Sequence, residues 1–275
     1  MKTISTALLF VIFICSTQAH SQREDILFLF DIDGTLTNPR NKIKEDMKNF
    51  LFDLRKSYTV GVVGGSDFSK QKEQLGDNLL NDFDYVFAEN GLIAYENGQK
   101  IGEYSIKDKI AEKDLNEFIS FCLKYIGNLD LKVKRGTFVE FRNGMLNISP
   151  LGRNCSQEER LEFAKLDEKM KIRHTLIADL KKNFSHLDLQ YSIGGQISID
   201  VFPKGFDKTF ALRYLLPKKY KKIYFFGDKT HKGGNDYELY EHPMTLGFTT
   251  KNPEDTKDQV VKIVRELLAA NKTVG

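Results

Sequence analysis

The chain has 275 residues, of which 41% are hydrophobic and 29% are charged, as in an ordinary folded protein. This length gives room for one large domain or two modest ones, at roughly 100 to 200 residues each. The formal net charge of +3 is too small to indicate nucleic acid or an anionic membrane as a partner. The cysteines, Cys15, Cys122 and Cys155, are too few and too scattered for a disulfide framework or a zinc site of paired ligands.

The first 19 residues differ in pattern from the rest of the chain. Lys2 precedes an apolar run from Ala7 to Cys15, and small residues follow at Thr17 and Ala19. This layout is typical of a cleavable secretory signal peptide, so residues 1–19 are a candidate leader. The apolar run is shorter than the about 20 residues that a transmembrane helix needs, which makes a membrane span the weaker alternative.

Beyond this leader, apolar strands alternate with helices. The continuous apolar run in DILFLFDID, which begins at Asp25, suits a strand of a parallel sheet that is covered on both faces. The segment from Lys44 has apolar residues at helical spacing, and TVGVV from Thr59 predicts a second strand. The order strand, helix, strand favours a right-handed parallel unit. Further strands are predicted in DYVFAENG from Asp84 and in KIYFFGDKTHKGGND from Lys222.

Polar residues follow three of these predicted strands. Asp31, Asp33, Ser66 and Asp228 all lie just beyond a strand's carboxyl end, where open parallel sheets bind their ligands. Asp31 and Asp33, two residues apart on an extended chain, point to the same face and crowd two like charges together. Such a pair requires a cation. The simpler interpretation, a strand followed by an Asp-Gly turn, does not account for the other two strands.

A segment of about one hundred residues lies between the region of Ser66 and the Asp207-Lys208 pair. It is too long for a loop inside a compact domain. It contains the alternating stretch TFVEFRNGMLNISPL, a helix-like stretch from Glu158 to Leu180, and a strand in GGQISIDVF. We therefore expect an α/β fold: a Rossmann-like parallel-sheet core domain, residues 24–103 and 206–275, with an inserted α+β cap domain, residues 104–205.

Four segments resemble the motifs of the haloacid dehalogenase-type phosphotransferases, in the usual chain order. They are DIDGTLT, VVGGSDF, the Asp207-Lys208 pair and FFGDKTHKGGND. Longer strings, RGTFVEFRNGMLNISPLGRNCSQEER, SIGGQISIDVFPKGFDK and IYFFGDKTHKGGND, closely resemble the eukaryotic phosphomannomutases. The resemblance runs from about Leu27 to the C-terminal helix and leaves only the leader unmatched.

The resemblance implies distinct roles for the residues at the sheet edge. Asp31 attacks phosphorus and becomes an aspartyl phosphate, while Asp33 is the general acid to the leaving sugar oxygen and then the general base. Ser66 and Lys208 hold the oxygens of the phosphoryl group in transfer. Phosphoryl transfer depends mainly on positioning and on neutralising charge, which explains the need for these residue types.

The resemblance also implies Mg²⁺, a cation that prefers oxygen ligands and is commonly held by one or two carboxylates together with substrate phosphate. Its expected ligands are the carboxylates of Asp31 and Asp228 and the backbone carbonyl of Asp33. Asn235 and Asp236 are expected to orient this metal shell.

A second cation is implied on the loop that reads YEHPMT, through the backbone carbonyl of Tyr240 and through Thr245. His242 stands where the family usually has aspartate, and a neutral imidazole is a poor ligand for a hard cation. The sequence therefore leaves the second site open.

In phosphomannomutases the cap binds the sugar phosphate, and arginine suits this role because its planar fork gives paired, charge-assisted hydrogen bonds to phosphate. A hexose bisphosphate needs one phosphate site at the nucleophile and one distant from it. By resemblance the substrate-binding residues are Arg40 from the core with Arg142, Arg153, Arg160, Ser198 and Asp200 from the cap.

The expected function is the interconversion of mannose 6-phosphate and mannose 1-phosphate with Mg²⁺ and a hexose 1,6-bisphosphate activator, supplying GDP-mannose synthesis. A sugar-phosphate phosphatase of the same superfamily and a secreted binding protein on a retired enzyme scaffold are the alternatives. The resemblance implies a homodimer formed through the cap. It also favours the cytoplasm, against the signal-like leader, and neither nucleic acid nor membrane is expected as a partner.

Overall fold

The computed structural model describes residues 25–39 and 41–272, apart from the side chains of residues 271 and 272. The candidate leader and Arg40 lie outside the described residues. The chain divides into two compact units, one up to Glu103 and again from Asp207, the other Tyr104–Phe206. Each unit has its own sheet and its own hydrophobic core.

The strands are β1 Ile26–Phe30, β2 Thr59–Val63, β3 Tyr85–Ala88, β4 Ile93–Glu96, β5 Gln99–Glu103, β6 Val139–Phe141, β7 Leu146–Ile148, β8 Leu189–Gly194, β9 Ser198–Pro203, β10 Lys222–Gly227 and β11 Leu246–Thr249. The α-helices are α1 Glu45–Arg55, α2 Phe68–Leu75, α3 Leu79–Asp82, α4 Glu112–Asn128, α5 Gln157–Met170, α6 Ile172–Asn183, α7 Leu212–Leu215, α8 Tyr237–Tyr240 and α9 Pro253–Lys272.

The first unit is built on a seven-stranded sheet in the order β11-β10-β1-β2-β3-β4-β5. The first five strands of this order run parallel, and β4 and β5 are antiparallel additions at one edge. The predicted parallel pairing of β1 with β2 is confirmed. Because β1 and β10 are central neighbours, the residues that follow them meet at one edge of the sheet.

Both faces of this sheet are buried, which is why β1 has no polar residue. Phe28 and Phe30 pack on one face, where Phe30 stacks on Phe226 at a centroid distance of 5.1 Å. Leu27 and Leu29 belong to a second cluster on the opposite face. The alternation follows from the two-residue period of a strand. Fixed on both sides, β1 presents its carboxyl end as a rigid platform.

The second unit has a four-stranded antiparallel sheet in the order β6-β7-β9-β8. One face is apolar: Leu146, Ile148, Ile199 and Val201 pack against buried residues of α4 and α6. The opposite face is polar and is described below. An α+β unit in this part of the chain agrees with the fold class expected from the sequence.

The helix-like stretch predicted from Glu158 to Leu180 is two helices in the structure. Lys171 has a left-handed backbone, φ 53°, and separates α5 from α6. Asp167 holds this corner, since its Oδ1 accepts from the Arg173 backbone N–H at 2.8 Å and its Oδ2 from Arg173 Nε at 2.8 Å. The local pattern of apolar residues continues through the break, and the sequence alone gave no sign of it.

Among the described helices, none combines the length and the apolar character that crossing a membrane requires.

Candidate active site

The sheet edge of the first unit gathers acidic residues from separate parts of the chain. Asp31 directly follows β1, and its backbone N–H donates to the Phe226 carbonyl of β10 at 2.9 Å. Asp228 directly follows β10, and Asp236 lies further along the same loop, just before α8. Carboxylate oxygens of Asp31, Asp228 and Asp236 all lie within 4.8 Å of one another. We call these three residues the carboxylate cluster.

Lys208 supplies a positive charge to this cluster. Its Nζ donates to Asp31 Oδ1 and to Asp236 Oδ1, the latter at 2.5 Å. The side chains of Lys208 and Asp236 are completely buried, and that of Asp31 is almost completely buried. One ammonium group thus faces three carboxylates, which leaves the cluster with more negative than positive charge.

Burial sets the protonation behaviour of the cluster. It raises the pKa of Asp31 to about 7, against the attraction of Lys208, while the charge of Asp236 adds to the rise. Burial also raises the pKa of Asp228. Burial opposes the charged form of Lys208, but the neighbouring Asp236 and Asp31 outweigh it and raise the pKa of this amine. A further positive charge would stabilise all the carboxylates in their ionised forms.

One oxygen of Asp228 points to such a charge. Asp228 Oδ1 is buried and has no hydrogen-bond partner within the described part of the chain. Asp236, by contrast, uses Oδ1 for Lys208 and Oδ2 for the Lys229 backbone N–H at 3.0 Å. An orphaned buried carboxylate oxygen beside Asp31 fits a hard cation such as Mg²⁺. Asp228 is therefore suited to bind the metal, and Asp236 to position Lys208.

The absence of a side chain at Gly34 leaves space for the Asp228 carboxylate. The Gly34 backbone has φ +84°, and a Cβ atom built on it would lie 2.5 Å from Asp228 Oδ2. Any side chain here would thus both strain the backbone and collide with the carboxylate. Gly34 belongs to the turn after β1, so the Asp-Gly pair of the sequence serves a turn and a site together.

Asp33 is partly buried, and its Oδ1 accepts from Gln74 Nε2 at 2.7 Å. Ser66, also partly buried, lies three residues beyond β2, and its carbonyl accepts from the Glu89 backbone N–H at 3.0 Å. Sequence reasoning missed Gln74. It lies on α2, between two motifs, and nothing in the local pattern distinguishes it from a surface glutamine.

The loop after the fourth motif is folded by its own hydrogen bonds. Thr245 Oγ1 lies 2.5 Å from the Leu239 carbonyl and 3.0 Å from that of His242. His242 Nδ1 accepts from the Met244 backbone N–H at 3.2 Å. Tyr240 ends α8 at the start of this loop. The second cation site, through Tyr240 and Thr245, stays a prediction. So does the role of Asn235 in the metal shell, a residue that the structure places at the surface.

The polar face of the second unit's sheet carries a row of side chains across its strands. Glu140 on β6 is opposite Asn147 on β7, Asn147 is opposite Asp200 on β9, and Asp200 is opposite Ser192 on β8. Directly opposed residues of an antiparallel pair share a face. Ser198, two residues before Asp200 on β9, belongs to this face as well and is buried.

Two arginines converge on Glu140 in this row. Arg142 donates from a terminal nitrogen to Glu140 Oε2 at 2.8 Å, and Arg153 Nε lies 2.9 Å from the same oxygen. Arg153 also donates to Asn147 Oδ1 at 2.6 Å. Asn147 in turn donates from Nδ2 to Asp200 Oδ1 at 2.6 Å. We call these five residues the arginine cluster.

Arg160 joins the arginine cluster from the first turn of α5, where its guanidinium donates to the Arg153 carbonyl at 3.0 Å. The Ser156 capping box fixes the start of this helix. Sequence reasoning missed Glu140 and Asn147. Glu140 and Arg142 are two residues apart on a predicted strand, so this spacing could have indicated that Glu140 shares a face with Arg142. Asn147 lies in a glycosylation triplet, but it is buried and hydrogen-bonded and so is not an accessible acceptor in the folded unit.

Several solved structures share this fold at low sequence identity. The IMP-bound IMP-nucleotidase of Plasmodium falciparum matches with a TM-score of 0.56 and 18% sequence identity. The match covers 90% of this chain and 70% of the nucleotidase chain. The C. albicans trehalose-6-phosphate phosphatase C-terminal domain matches with a TM-score of 0.56 and 12% identity, over 93% and 96%. These likenesses show the fold that the chain shares with them.

The sequence comparisons identify the family. The family of eukaryotic phosphomannomutases matches residues 47–266. A phosphomannomutase of Spinacia oleracea is 56% identical over 238 residues, which is 86% of this chain and 95% of that protein. Phosphomannomutase 2 of Dictyostelium discoideum is 58% identical over 237 residues, with the same coverage. The chain belongs to the eukaryotic phosphomannomutase family.

Proposed function

We propose that this protein interconverts mannose 6-phosphate and mannose 1-phosphate through an aspartyl phosphate and a hexose 1,6-bisphosphate, and so supplies GDP-mannose synthesis. The observation that carries the proposal is the buried carboxylate cluster with Lys208 at the carboxyl end of β1 and β10. Membership of the eukaryotic phosphomannomutase family supports a mannose phosphate as the substrate. Glucose phosphates are also open as substrates, since nothing in the cluster distinguishes the two sugars.

Asp31 is the proposed nucleophile. Its carboxylate is held by Lys208 at the end of a rigid central strand, so it is presented to an incoming phosphoryl group in one orientation. Asp33 donates a proton to the leaving sugar oxygen and removes one from the sugar hydroxyl in the return step. Ser66 and Lys208 bind the phosphoryl oxygens.

Mg²⁺ would be held by the carboxylates of Asp31 and Asp228 and by the backbone carbonyl of Asp33. When bound, it screens the negative charges of nucleophile and phosphate from one another. Asp236 fixes Lys208 and, with Asn235, orients the metal shell. Tyr240 and Thr245 are proposed for a second cation.

We further propose that the second unit acts as the cap that binds the sugar and its distant phosphate. Arg142, Arg153 and Arg160 present guanidinium groups on or beside one polar face, and Asp200 and Ser198 lie on that face as acceptors for sugar hydroxyls. Arg40 is proposed to join them from the core. We propose that the protein forms a homodimer through this unit, acts in the cytoplasm and binds no nucleic acid.

The central experiment supplies mannose 1-phosphate and Mg²⁺, with and without glucose 1,6-bisphosphate, and measures mannose 6-phosphate and free phosphate in the same reaction. A mutase gives isomerised sugar that depends on the bisphosphate, with little free phosphate. Release of free phosphate without isomerisation would support the sugar-phosphate phosphatase instead.

Location can be tested on the same active protein. Asn154 begins the glycosylation triplet Asn-Cys-Ser and directly follows Arg153 of the arginine cluster. We expect a glycan on Asn154 to damage sugar binding. A tagged protein recovered with this glycan and with full mutase activity would contradict the cytoplasmic assignment.

A further inference from the structure

Helix α2 carries two buried glutamines, Gln71 and Gln74, spaced three residues apart and so on neighbouring positions of one helix side. Glutamine is mostly a surface residue, and a buried polar side chain is kept only where it makes hydrogen bonds. Gln71 is 0% exposed and Gln74 is 5% exposed. Their partners therefore indicate what this helix does.

Gln74 contacts the proposed acid–base residue directly. Its Nε2 donates to Asp33 Oδ1 at 2.7 Å, across 41 residues of sequence. Its backbone carbonyl accepts from the Ile43 N–H at 2.8 Å, so the end of the helix is itself fixed. Gln74 thus holds one oxygen of Asp33 from an anchored position.

Gln71 contacts the loop that carries Ser66. Its Nε2 lies 3.1 Å from the Phe87 carbonyl and 3.4 Å from the carbonyls of both Gly64 and Ser66. The same helix therefore contacts the proposed phosphate-binding loop at one point and Asp33 at another. Gln71 and Gln74 are both buried glutamines on the same helix. Of the two, only Gln74 donates to the Asp33 carboxylate, whereas Gln71 contacts backbone carbonyls.

The contact of Gln74 with Asp33 has a chemical consequence. An amide N–H donates to Oδ1 whether or not the carboxyl group carries a proton, so it fixes the rotation of that group. The proton that Asp33 exchanges is then carried on Oδ2, because Oδ1 already accepts a hydrogen bond. A carboxyl group with fixed rotation presents this proton in one direction only, which proton transfer requires.

We propose that Gln74 is a positioning residue for proton transfer by Asp33. In the step concerned, the bond from phosphorus to the sugar oxygen breaks as the bond to the Asp31 carboxylate forms. The sugar oxygen keeps the bonding electron pair and takes the proton from Asp33 Oδ2. The inference rests on the proposed function, in which Asp33 is the general acid.

The test uses the leaving group. A sugar alkoxide departs poorly without a proton, whereas p-nitrophenol departs as a stable anion and needs none. We would measure the single-turnover rate of aspartyl-phosphate formation from glucose 1,6-bisphosphate and from p-nitrophenyl phosphate. Gln74→Met should slow transfer from the sugar by roughly tenfold or more, a part of the 10²- to 10⁴-fold that general acid catalysis contributes. Transfer from p-nitrophenyl phosphate should change by less than about twofold.

Gln71→Met is the matched control, since it makes the same change on the same helix. By loosening the Ser66 loop, it should slow both phosphate donors by similar factors. Gln74→Glu keeps the shape of the side chain but removes the N–H donor, and it should repeat the selective effect if Gln74→Met folds poorly. Thermal melting would establish that each variant is folded.

Asp33→Asn separates the two levels of the proposal. If Asp33→Asn is selective for the sugar donor but folded Gln74 variants slow both donors equally, the role of Gln74 is wrong and that of Asp33 stands. If Asp33→Asn itself slows both donors equally, Asp33 is not the general acid and the proposed mechanism fails.

Discussion

The carboxylate cluster and the arginine cluster hold charge in opposite ways. In the carboxylate cluster, Lys208 and Asp236 have fully buried side chains and Asp31 is almost fully buried. In the arginine cluster, the side chains of Arg142, Arg153 and Glu140 keep about a third of their surface exposed. Counted with Lys208, the carboxylate cluster has three carboxylates to one ammonium group. Counted with Arg160, the arginine cluster has three guanidinium groups to two carboxylates.

The difference in burial indicates a difference in task. Charges removed from water are held firmly, and the loss of one partner leaves the other uncompensated at a large cost. Ion pairs that stay in contact with water contribute little to stability. A nucleophile and a metal need fixed positions, whereas a phosphate that arrives, turns and leaves needs partners that can be exchanged. The predictions below test this contrast.

The largest effect is expected from Asp31→Asn. An amide is a poor nucleophile and a weak metal ligand, so mutase activity and the hydroxylamine-sensitive phosphoenzyme should both disappear. Activity would be measured by isomerisation, and the phosphoenzyme by transfer of labelled phosphate followed by acid quenching. Asp25→Asn, which changes a surface aspartate paired with Lys221, is the control and should remain active. A phosphoenzyme retained in Asp31→Asn would refute the assignment.

Asp31→Asn should become more stable relative to the wild type as pH rises, when both proteins are kept free of metal with EDTA. The pKa of Asp31 is raised by burial from 3.8 to about 7, so the folded state binds its proton more tightly than the unfolded state. The wild type therefore loses free energy of unfolding as pH rises from about 4 to 7, because over this range Asp31 holds a proton mainly in the folded state. Asp31→Asn has no such proton and does not show this loss. The difference in melting temperature, variant minus wild type, should increase over this range and then level off. A constant difference would show that Asp31 does not titrate in this window.

Lys208→Met should be the most destabilising of the single changes. It leaves Asp31 and Asp236 buried without their shared counter-charge, which typically costs about 3 to 5 kcal/mol. Urea unfolding would measure this loss. The control is Lys44→Met, which removes a lysine whose ion pair with Glu254 is exposed on both sides and which should therefore cost far less stability. Equal losses for the two variants would mean that burial does not distinguish the two kinds of ion pair.

Changes in the arginine cluster should affect sugar transfer more than folding. Replacing Arg142 or Arg160 by Gln removes one charge-assisted contact, worth about 1.5 to 3 kcal/mol, or roughly ten- to hundredfold in transfer at 1.4 kcal/mol for each factor of ten. The ratio of free phosphate to isomerised sugar should rise, because a loosely held bisphosphate leaves before it reorients. Arg135→Gln is the control, since Arg135 pairs with Glu159 outside the arginine cluster. An unchanged ratio in both test variants would favour the phosphatase.

The smallest effect is expected from Glu140→Gln. Glu140 neutralises part of the charge of Arg142 and Arg153, so its removal should tighten binding of glucose 1,6-bisphosphate. Ion pairs in contact with water contribute about 0.2 to 1 kcal/mol, which corresponds to roughly a one-and-a-half- to fivefold lower dissociation constant. Calorimetric titration would measure it. Weaker binding would mean that Glu140 chiefly holds the arginines in place.

The sequence by itself determined the class of fold and much of the candidate site. A continuous apolar run predicts a strand that is buried on both faces, and β1 is such a strand. Since parallel strands end at one edge, the residues after β1 and β10 could be placed together, and Asp31 and Asp228 do meet. The motifs then resembled a known family, and the comparisons confirm that family.

Only the tertiary structure decided which side chains touch. Lys208 reaches Asp31 across 177 residues, and Gln74 reaches Asp33 across 41. The antiparallel strands β4 and β5 and the break at Lys171 likewise escaped prediction. Sequence periodicity reports which face of an element is apolar, a local property. Pairing between buried polar groups depends on which distant elements become neighbours, and that is fixed by the packing of the whole chain.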